Sequence, residues 1–260
     1  MNCKSCNNTL RDTQNYCDDC GAKVIRNRLT PKVLATQVNK EFISIDNKFL
    51  KTFIDLFTKP QVVINGYING TRKKYIDALH YFAISLTIAG FQVFLMLTFF
   101  KEGLEFNSEF LNEVAKAPGN KNNPFLNNDL ESSSSYQGLM YIFLLPFSAF
   151  STWFAYYIAG DKRYNFTEHL VLNIYYSAQT IIVVSVISIV FLIFGINYIV
   201  ATMILTIPLF VYLAIVLFRV FEDTFWNSMG KFVLTLIIYL FTFFIVGIFI
   251  SIISLLLTVA

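Results

Sequence analysis

Four cysteines lie within the first twenty residues of a 260-residue chain, and the remainder contains none. They run Cys3-x-x-Cys6 and, ten residues further on, Cys17-x-x-Cys20-Gly21. The turn inside a Cys-x-x-Cys pair lets both thiolates face one ion, and two such pairs complete the tetrahedron that zinc requires. Cys3, Cys6, Cys17 and Cys20 are therefore expected to hold a structural zinc in a small ribbon, with Gly21 letting backbone amides approach the sulfurs. Four thiolates leave no position for a reactive water, which excludes chemistry at the metal. So few residues cannot build a hydrophobic core, so the metal must supply the folding energy. A reducing cytosol disfavours disulfides, and a thioredoxin-like redox role would need a βαβ pattern that is missing.

The elements behind this module are of another kind. The chain is 55% hydrophobic, with 28 Phe and 14 Tyr, which suits an integral membrane protein better than a soluble domain. A span needs about 20 apolar residues, and five stretches qualify: 79–100, 138–160, 171–195, 196–221 and 232–259. Only Gly195-Ile196-Asn197 separates the third from the fourth, and Gly and Asn tolerate the left-handed backbone of a tight helical hairpin. The expected fold is an all-α polytopic membrane protein. It has a five-helix transmembrane bundle (79–260), a small N-terminal cytosolic zinc ribbon (1–25) and a basic, amphipathic, interfacial helical segment (26–78).

Charge sets the expected orientation. Residues 1–78 hold 13 Lys/Arg against 7 Asp/Glu, and the rest of the chain 7 against 10. Residues 1–30 are polar and lack an apolar signal core, so the first span is expected to target the chain and leave the N-terminus in the cytosol. With that orientation 17 of the 20 basic residues fall inside, in 1–78, in the 161–170 loop and in the 222–231 segment with Arg219, as the positive-inside rule requires. The C-terminus then lies outside. The outer loop 101–137 is acidic and rich in Asn and Ser and reads as poorly ordered.

Between ribbon and membrane, Leu34, Val38, Phe42, Ile45, Phe49, Phe53 and Phe57 recur at helical spacing. Asp46 is placed to cap a second helix from Asn47, and Pro60 to stop it. The apolar face can lie in the headgroup plane or pack on the bundle; the pattern does not choose. Arg72, Lys73 and Lys74, just before the first span, suit anionic lipid headgroups. Tyr67, Tyr75 and Tyr81 suit an interfacial belt.

Several of these features together resemble the bacterial DUF3667 family of zinc-ribbon membrane proteins of unknown function. The features are the Cys-x-x-Cys pair, Tyr16-Cys17-x-x-Cys20-Gly21 and the Arg28-Leu29-Thr30 start of an amphipathic helix. They continue with Pro60-x-x-Val63-Ile64-x-x-Tyr67-Ile68-x-Gly70-x-Arg72-x-x-Tyr75 and with Glu168-His169-Leu170. Where the family tends to place a proline soon after the Tyr75 position, this chain has Asp77-Ala78. The resemblance implies a bacterial inner-membrane protein and no particular activity.

No charged residue lies mid-span, which argues against an ion-coupled pump. Gln92 lies in the first span; Asn173, Tyr175, Tyr176, Ser177, Gln179 and Thr180 crowd the third, where they can line a cavity or, more commonly, bond between helices. The two histidines, His80 and His169, fall at the cytoplasmic interface with Glu168, Glu222 and Asp223. This cluster is the one candidate for metal binding or acid–base chemistry on a headgroup. Ser151, Ala155 and Ala159, with Gly247 and Ser251, form small-residue faces that would let helices, or a second copy of the chain, approach closely. Pro146 and Pro208 are expected to kink their helices.

The leading expectation is a membrane scaffold or adaptor, without enzymatic activity, that presents the ribbon to a cytosolic or membrane protein partner. The alternatives are a channel or transporter for a small or lipid-like substrate, and a lipid-modifying enzyme using the His/carboxylate cluster. The modest charge excess and scarcity of aromatics before residue 42 argue against nucleic acid.

Overall fold

A computed structural model describes residues 2–24, 30–31, 48–100 and 136–259, with side chains as far as residue 248. Residues 101–135 of the expected outer loop, the apolar positions Leu34 to Ile45, the Asp46 cap and Ser251's side chain lie outside that set. The chain divides into two compact units, Met1–Asn47 and Lys48–Ala260.

In the first unit the described backbone forms two short hairpin-like turns, each closed by one antiparallel bridge, Asn2 with Thr9 and Tyr16 with Lys23. Its small core consists of Cys3, Leu10 and Cys17, with Cys6, Ala22 and Val24 packed against it.

The regular structure described in the second unit is all helical. Helix α1 is described over 48–58. It is followed by α2 (Pro60–Ile68), α3 (Ala78–Phe99), α4 (Gln137–Ile158), α5 (Phe166–Ile193), α6 (Tyr198–Phe221) and α7 (Phe225–Val259). Five of them, α3 to α7, are long and apolar enough to cross a membrane. Their outer surfaces carry Ile193, Phe194, Ile207, Leu240 and Phe241, all mostly exposed. Such an apolar exterior needs lipid rather than water around it, as in an integral membrane protein.

Helix ends follow local chemistry. The Asp77 side chain accepts from His80 N at 3.1 Å and caps α3, so this chain enters its first span through an acidic N-cap. Asn165 caps α5 through a reciprocal box, its Oδ1 accepting from Glu168 N at 3.0 Å while Glu168 Oε2 accepts from Asn165 N at 2.7 Å. The α5–α6 hairpin closes as expected. Gly195 sits at φ +73°, which lets Ile196 N donate back to Phe191 O at 2.9 Å. Asn197 then caps α6 by accepting from Ile199 N at 2.8 Å.

Helix α1 ends just before Pro60, as expected, but Pro60 also opens the unexpected α2, at a position where its missing N–H costs nothing. Two boundaries differ from expectation. Helix α5 begins at Phe166 instead of 171, and α7 at Phe225 instead of 232. In both, polar first turns extend the helix beyond the apolar stretch that hydropathy detects. As a result Lys231 is not in a connecting loop but inside α7, with a side chain only 4% exposed.

Helix α3 packs along α5, and α4 along both α5 and α7. Ser151 and Ala155 are fully buried, as a close-packing small-residue face predicts, whereas Ala159 is exposed. Pro146 and Pro208 both lie inside continuous helices. The polar residues of α5 mostly bond to other elements. Tyr175 OH donates to Ile76 O at 2.8 Å, Tyr176 OH to Leu209 O at 3.1 Å and Gln179 Nε2 to Phe53 O at 3.1 Å.

Candidate functional site

The two cysteine turns are copies of one another, fourteen residues apart. In the first, Cys3 N donates to Asn8 O at 2.8 Å and Asn7 N to Cys3 O at 2.9 Å; in the second, Cys17 N donates to Ala22 O at 2.9 Å and Gly21 N to Cys17 O at 3.0 Å. The equivalent positions Asn7 and Gly21 both have left-handed backbone, φ 60° and 69°. Asn is the non-glycine residue best suited to that conformation, which is why the first turn manages without glycine.

This doubled turn brings the four sulfurs of Cys3, Cys6, Cys17 and Cys20 within 4.8 Å of one another. Cys3 Sγ lies 3.6 Å from Cys20 Sγ, and Cys6 Sγ 3.6 Å from Cys17 Sγ. All four are free thiols. Backbone N–H groups of Cys6 and Ser5 hold the Cys3 thiol down to about 7, so a thiolate forms there readily at neutral pH. Four sulfurs facing a common centre are close enough together to bind a metal ion.

In the helical unit, α1 and α2 form a hairpin held by the spans. Leu56, Val63 and Ile64 are fully buried. The last carbonyls of α1, which a helix cannot satisfy itself, are met from α6. Tyr212 OH donates to Leu56 O at 3.1 Å and Arg219 to Thr58 O. Thr52 Oγ1 accepts from Ile76 N at 3.1 Å, and Asn65 Nδ2 donates to Val220 O at 3.0 Å. The apolar face of α1 thus packs on the bundle through Phe49, Phe53 and Leu56. Leu50, Ile54 and Phe57 form an exposed second stripe, so Phe57 leaves the inward set.

The run from Pro60 to Tyr75 builds this hairpin residue by residue. Val63 and Ile64 fill the core, and Tyr67 stands edge-on to Tyr175 at 5.8 Å. The Arg72 guanidinium stacks 3.9 Å from the Tyr67 ring centroid and donates to Tyr67 O. Tyr75 OH donates to Asp55 Oδ2 at 2.7 Å. Residues 46–90 match the family model described as a protein of unknown function, DUF3667. Over those residues the chain is similar to the DUF3667 family. The DUF3667 match covers the hairpin and the first half of α3 and does not reach the four cysteines. No curated protein and no solved structure matches the chain. The residues that mark this DUF3667 segment serve packing and turn geometry. Of the three expected headgroup ligands, Arg72 is engaged with Tyr67, Lys74 Nζ lies 5.2 Å from the Tyr75 ring centroid, and all three cations are exposed.

The His/carboxylate cluster is dispersed. His80 is exposed and pairs with Asp77. His169 is 1% exposed, enclosed by Tyr156, Tyr164 and Phe221, with Nδ1 3.3 Å from Thr152 Oγ1. Glu168 serves the α5 cap, and Glu222 ends α6 in left-handed backbone. No hydrogen bond or ion pair joins the two histidines among the described residues. His80, Glu168 and Glu222 each have a local structural task at a helix end.

Asp223 instead belongs to a network that sequence reasoning missed. Arg163 Nη2 lies 2.6 Å from Asp161 Oδ2 and 2.7 Å from Asp223 Oδ1. Lys231 Nζ lies 2.6 Å from Asp161 Oδ2 and 2.7 Å from Asp223 Oδ2. Two cations and two anions thus tie the α4–α5 connection to the α6–α7 connection with no net charge. The only advance signal was a lone lysine in an apolar helical run, eight residues after Asp223.

The Arg163 guanidinium, with help from Lys231, holds the Asp161 carboxyl well below the usual carboxylate range, against the opposing effect of burial. A depressed folded-state value means that the stabilisation is present above the unfolded value and is lost as pH falls through the folded one. Asp161→Asn should therefore lower the thermal midpoint at pH 7, and the gap from the parent should close only below about pH 4. Unfolding scans from pH 8 to pH 3 check this; a gap that stays constant over the whole range would contradict it.

Proposed function

We propose that this chain is a DUF3667 protein and a scaffold of the bacterial cytoplasmic membrane. Its N-terminal ribbon holds a structural zinc and engages a cytosolic protein partner. One observation carries this reading: the four cysteine sulfurs lie within 4.8 Å of one another in a doubled turn. A Zn–S bond of about 2.3 Å gives a tetrahedral edge of about 3.8 Å, close to the 3.6 Å separations of Cys3 from Cys20 and Cys6 from Cys17. A disulfide would need about 2.05 Å. The residues therefore fit a four-thiolate zinc, which would fix the two turns and supply no reactive position.

Orientation rests on the basic residues. The α2–α3, α4–α5 and α6–α7 connections meet at one end of the bundle, through the Arg163–Asp223 pair and the Asn65–Val220 bond. That end carries Arg72, Lys73, Lys74, Lys162, Arg163 and Arg219, which supports a cytoplasmic placement and contact of Lys73 and Lys74 with anionic lipid.

Affinity purification in mild detergent tests the scaffold reading. The intact chain should retain a defined set of cytosolic proteins that a Cys17→Ser/Cys20→Ser variant, inserted at the same level, loses. Identical sets, or none with the intact chain, would contradict it.

A further inference from the structure

Between α4, α5, α6 and α7 lies a cavity of about 290 Å³. Its wall is mostly apolar, but Ser148 and Thr152 of α4, Asn173, Ser177 and Thr180 of α5 and Tyr239 of α7 set polar groups into it, and no Asp, Glu, Lys or Arg borders it. Asn173 is only 2% exposed. Its Nδ2 donates to Thr152 Oγ1 and to His169 O, each at 2.8 Å. Among the described residues, Asn173 Oδ1, Ser177 Oγ and Tyr239 OH make no hydrogen bond. Ser148 and Thr180 donate to carbonyls of their own helices, so their hydroxyl oxygens can still accept, whereas that of Thr152 is already engaged by Asn173 and His169.

The depth is that of the membrane interior. Asn173 lies seven residues in from Phe166 and Tyr239 fourteen in from Phe225, about 10 and 21 Å of helix. Toward the loop end, His169, Tyr156 and Phe221 pack together, with the Asp161–Arg163–Asp223–Lys231 network beside them. A charged ligand in the cavity would find no countercharge at a depth where bare charge is costly. An apolar ligand would leave the Asn173 carbonyl oxygen without a donor. The volume corresponds to about ten waters at roughly 30 Å³ each.

We propose that this cavity binds a small uncharged solute bearing several hydroxyl groups, of the polyol class. The hydroxyls donate to Asn173 Oδ1 and exchange hydrogen bonds with Ser177 and Tyr239. The site stands whether or not the chain acts as a scaffold.

Saturation-transfer difference NMR on the full chain in phosphatidylcholine nanodiscs tests this, with glycerol, erythritol and xylitol as probes and lactate and choline as charged comparators. Polyols should receive saturation several-fold above the comparators and above empty nanodiscs. Ser177→Leu, which fills the cavity, should abolish the difference. Tyr239→Phe removes a hydroxyl that bonds nothing else, so the fold should tolerate it, and the signal should fall several-fold. The proposal is overturned by an unchanged signal in a folded Tyr239→Phe chain, by charged solutes responding equally, or by no polyol response, which would leave water as the occupant.

Discussion

In a Cys17→Ser chain, residues 2–24 should lose their fold while the helices keep theirs. Among the described residues of this unit the core is Cys3, Leu10 and Cys17, so two of the three are themselves proposed metal ligands. Burying Leu10 and packing Val24 supplies only about 1.5–3 kcal/mol each at most. Ordering the backbone costs about 1–2 kcal/mol per residue, so apolar contact cannot hold the doubled turn. Structural zinc contributes about 10–16 kcal/mol in comparable small modules, and a serine in place of one thiolate forfeits most of it. Hydrogen exchange reads the result directly. Protection at the amides of Cys3, Asn7, Cys17 and Gly21, all bonded across the turns, should vanish, with amides in α5 unchanged. Retained protection at those four would mean that the turns fold without the metal.

Lys231→Met should destabilise the helical unit by on the order of 3 kcal/mol, the scale for breaking a buried ion pair from one side. Lys231 and Asp161 side chains are 4% and 7% exposed, and Asp223 10%. Without Lys231, two buried carboxylates share only Arg163, which is 48% exposed. A second change tests the cause. Lys231→Met with Asp223→Asn restores neutrality around Asp161 and Arg163, so it should cost less than the sum of the single changes. Thermal unfolding of the four proteins in one detergent gives the cycle. A Lys231→Met midpoint equal to the parent's would show that the network contributes nothing; strict additivity would remove the electrostatic explanation.

How far these features could be read in advance depended on what generated them. Spans arise from length and apolar content alone, and all five were visible. Their polar first turns were not, because Asn165 and Glu168 act through a cap and Lys231 through partners on two other segments. Helix α2 escaped notice because Pro60 is equally good at ending one helix and opening the next, and burial of Val63 and Ile64 decides between them. The surroundings of the histidines were not legible: His80 is exposed beside Asp77, whereas His169 lies inside an aromatic cluster. The cysteine pairs were legible because their spacing is the one a four-sulfur site needs to bring its sulfurs together. That the turns repeat was legible too, in Asn7 and Gly21, each four residues after the first cysteine of its pair.

Metal stoichiometry of the purified chain is the most direct test of a ribbon closed by zinc. Inductively coupled plasma mass spectrometry on the intact protein should give one zinc per chain, and Cys17→Ser protein prepared in parallel should give none. A metal-free intact chain whose Cys3 and Cys17 amides remained protected from exchange would contradict it, as would one iron per chain in place of zinc.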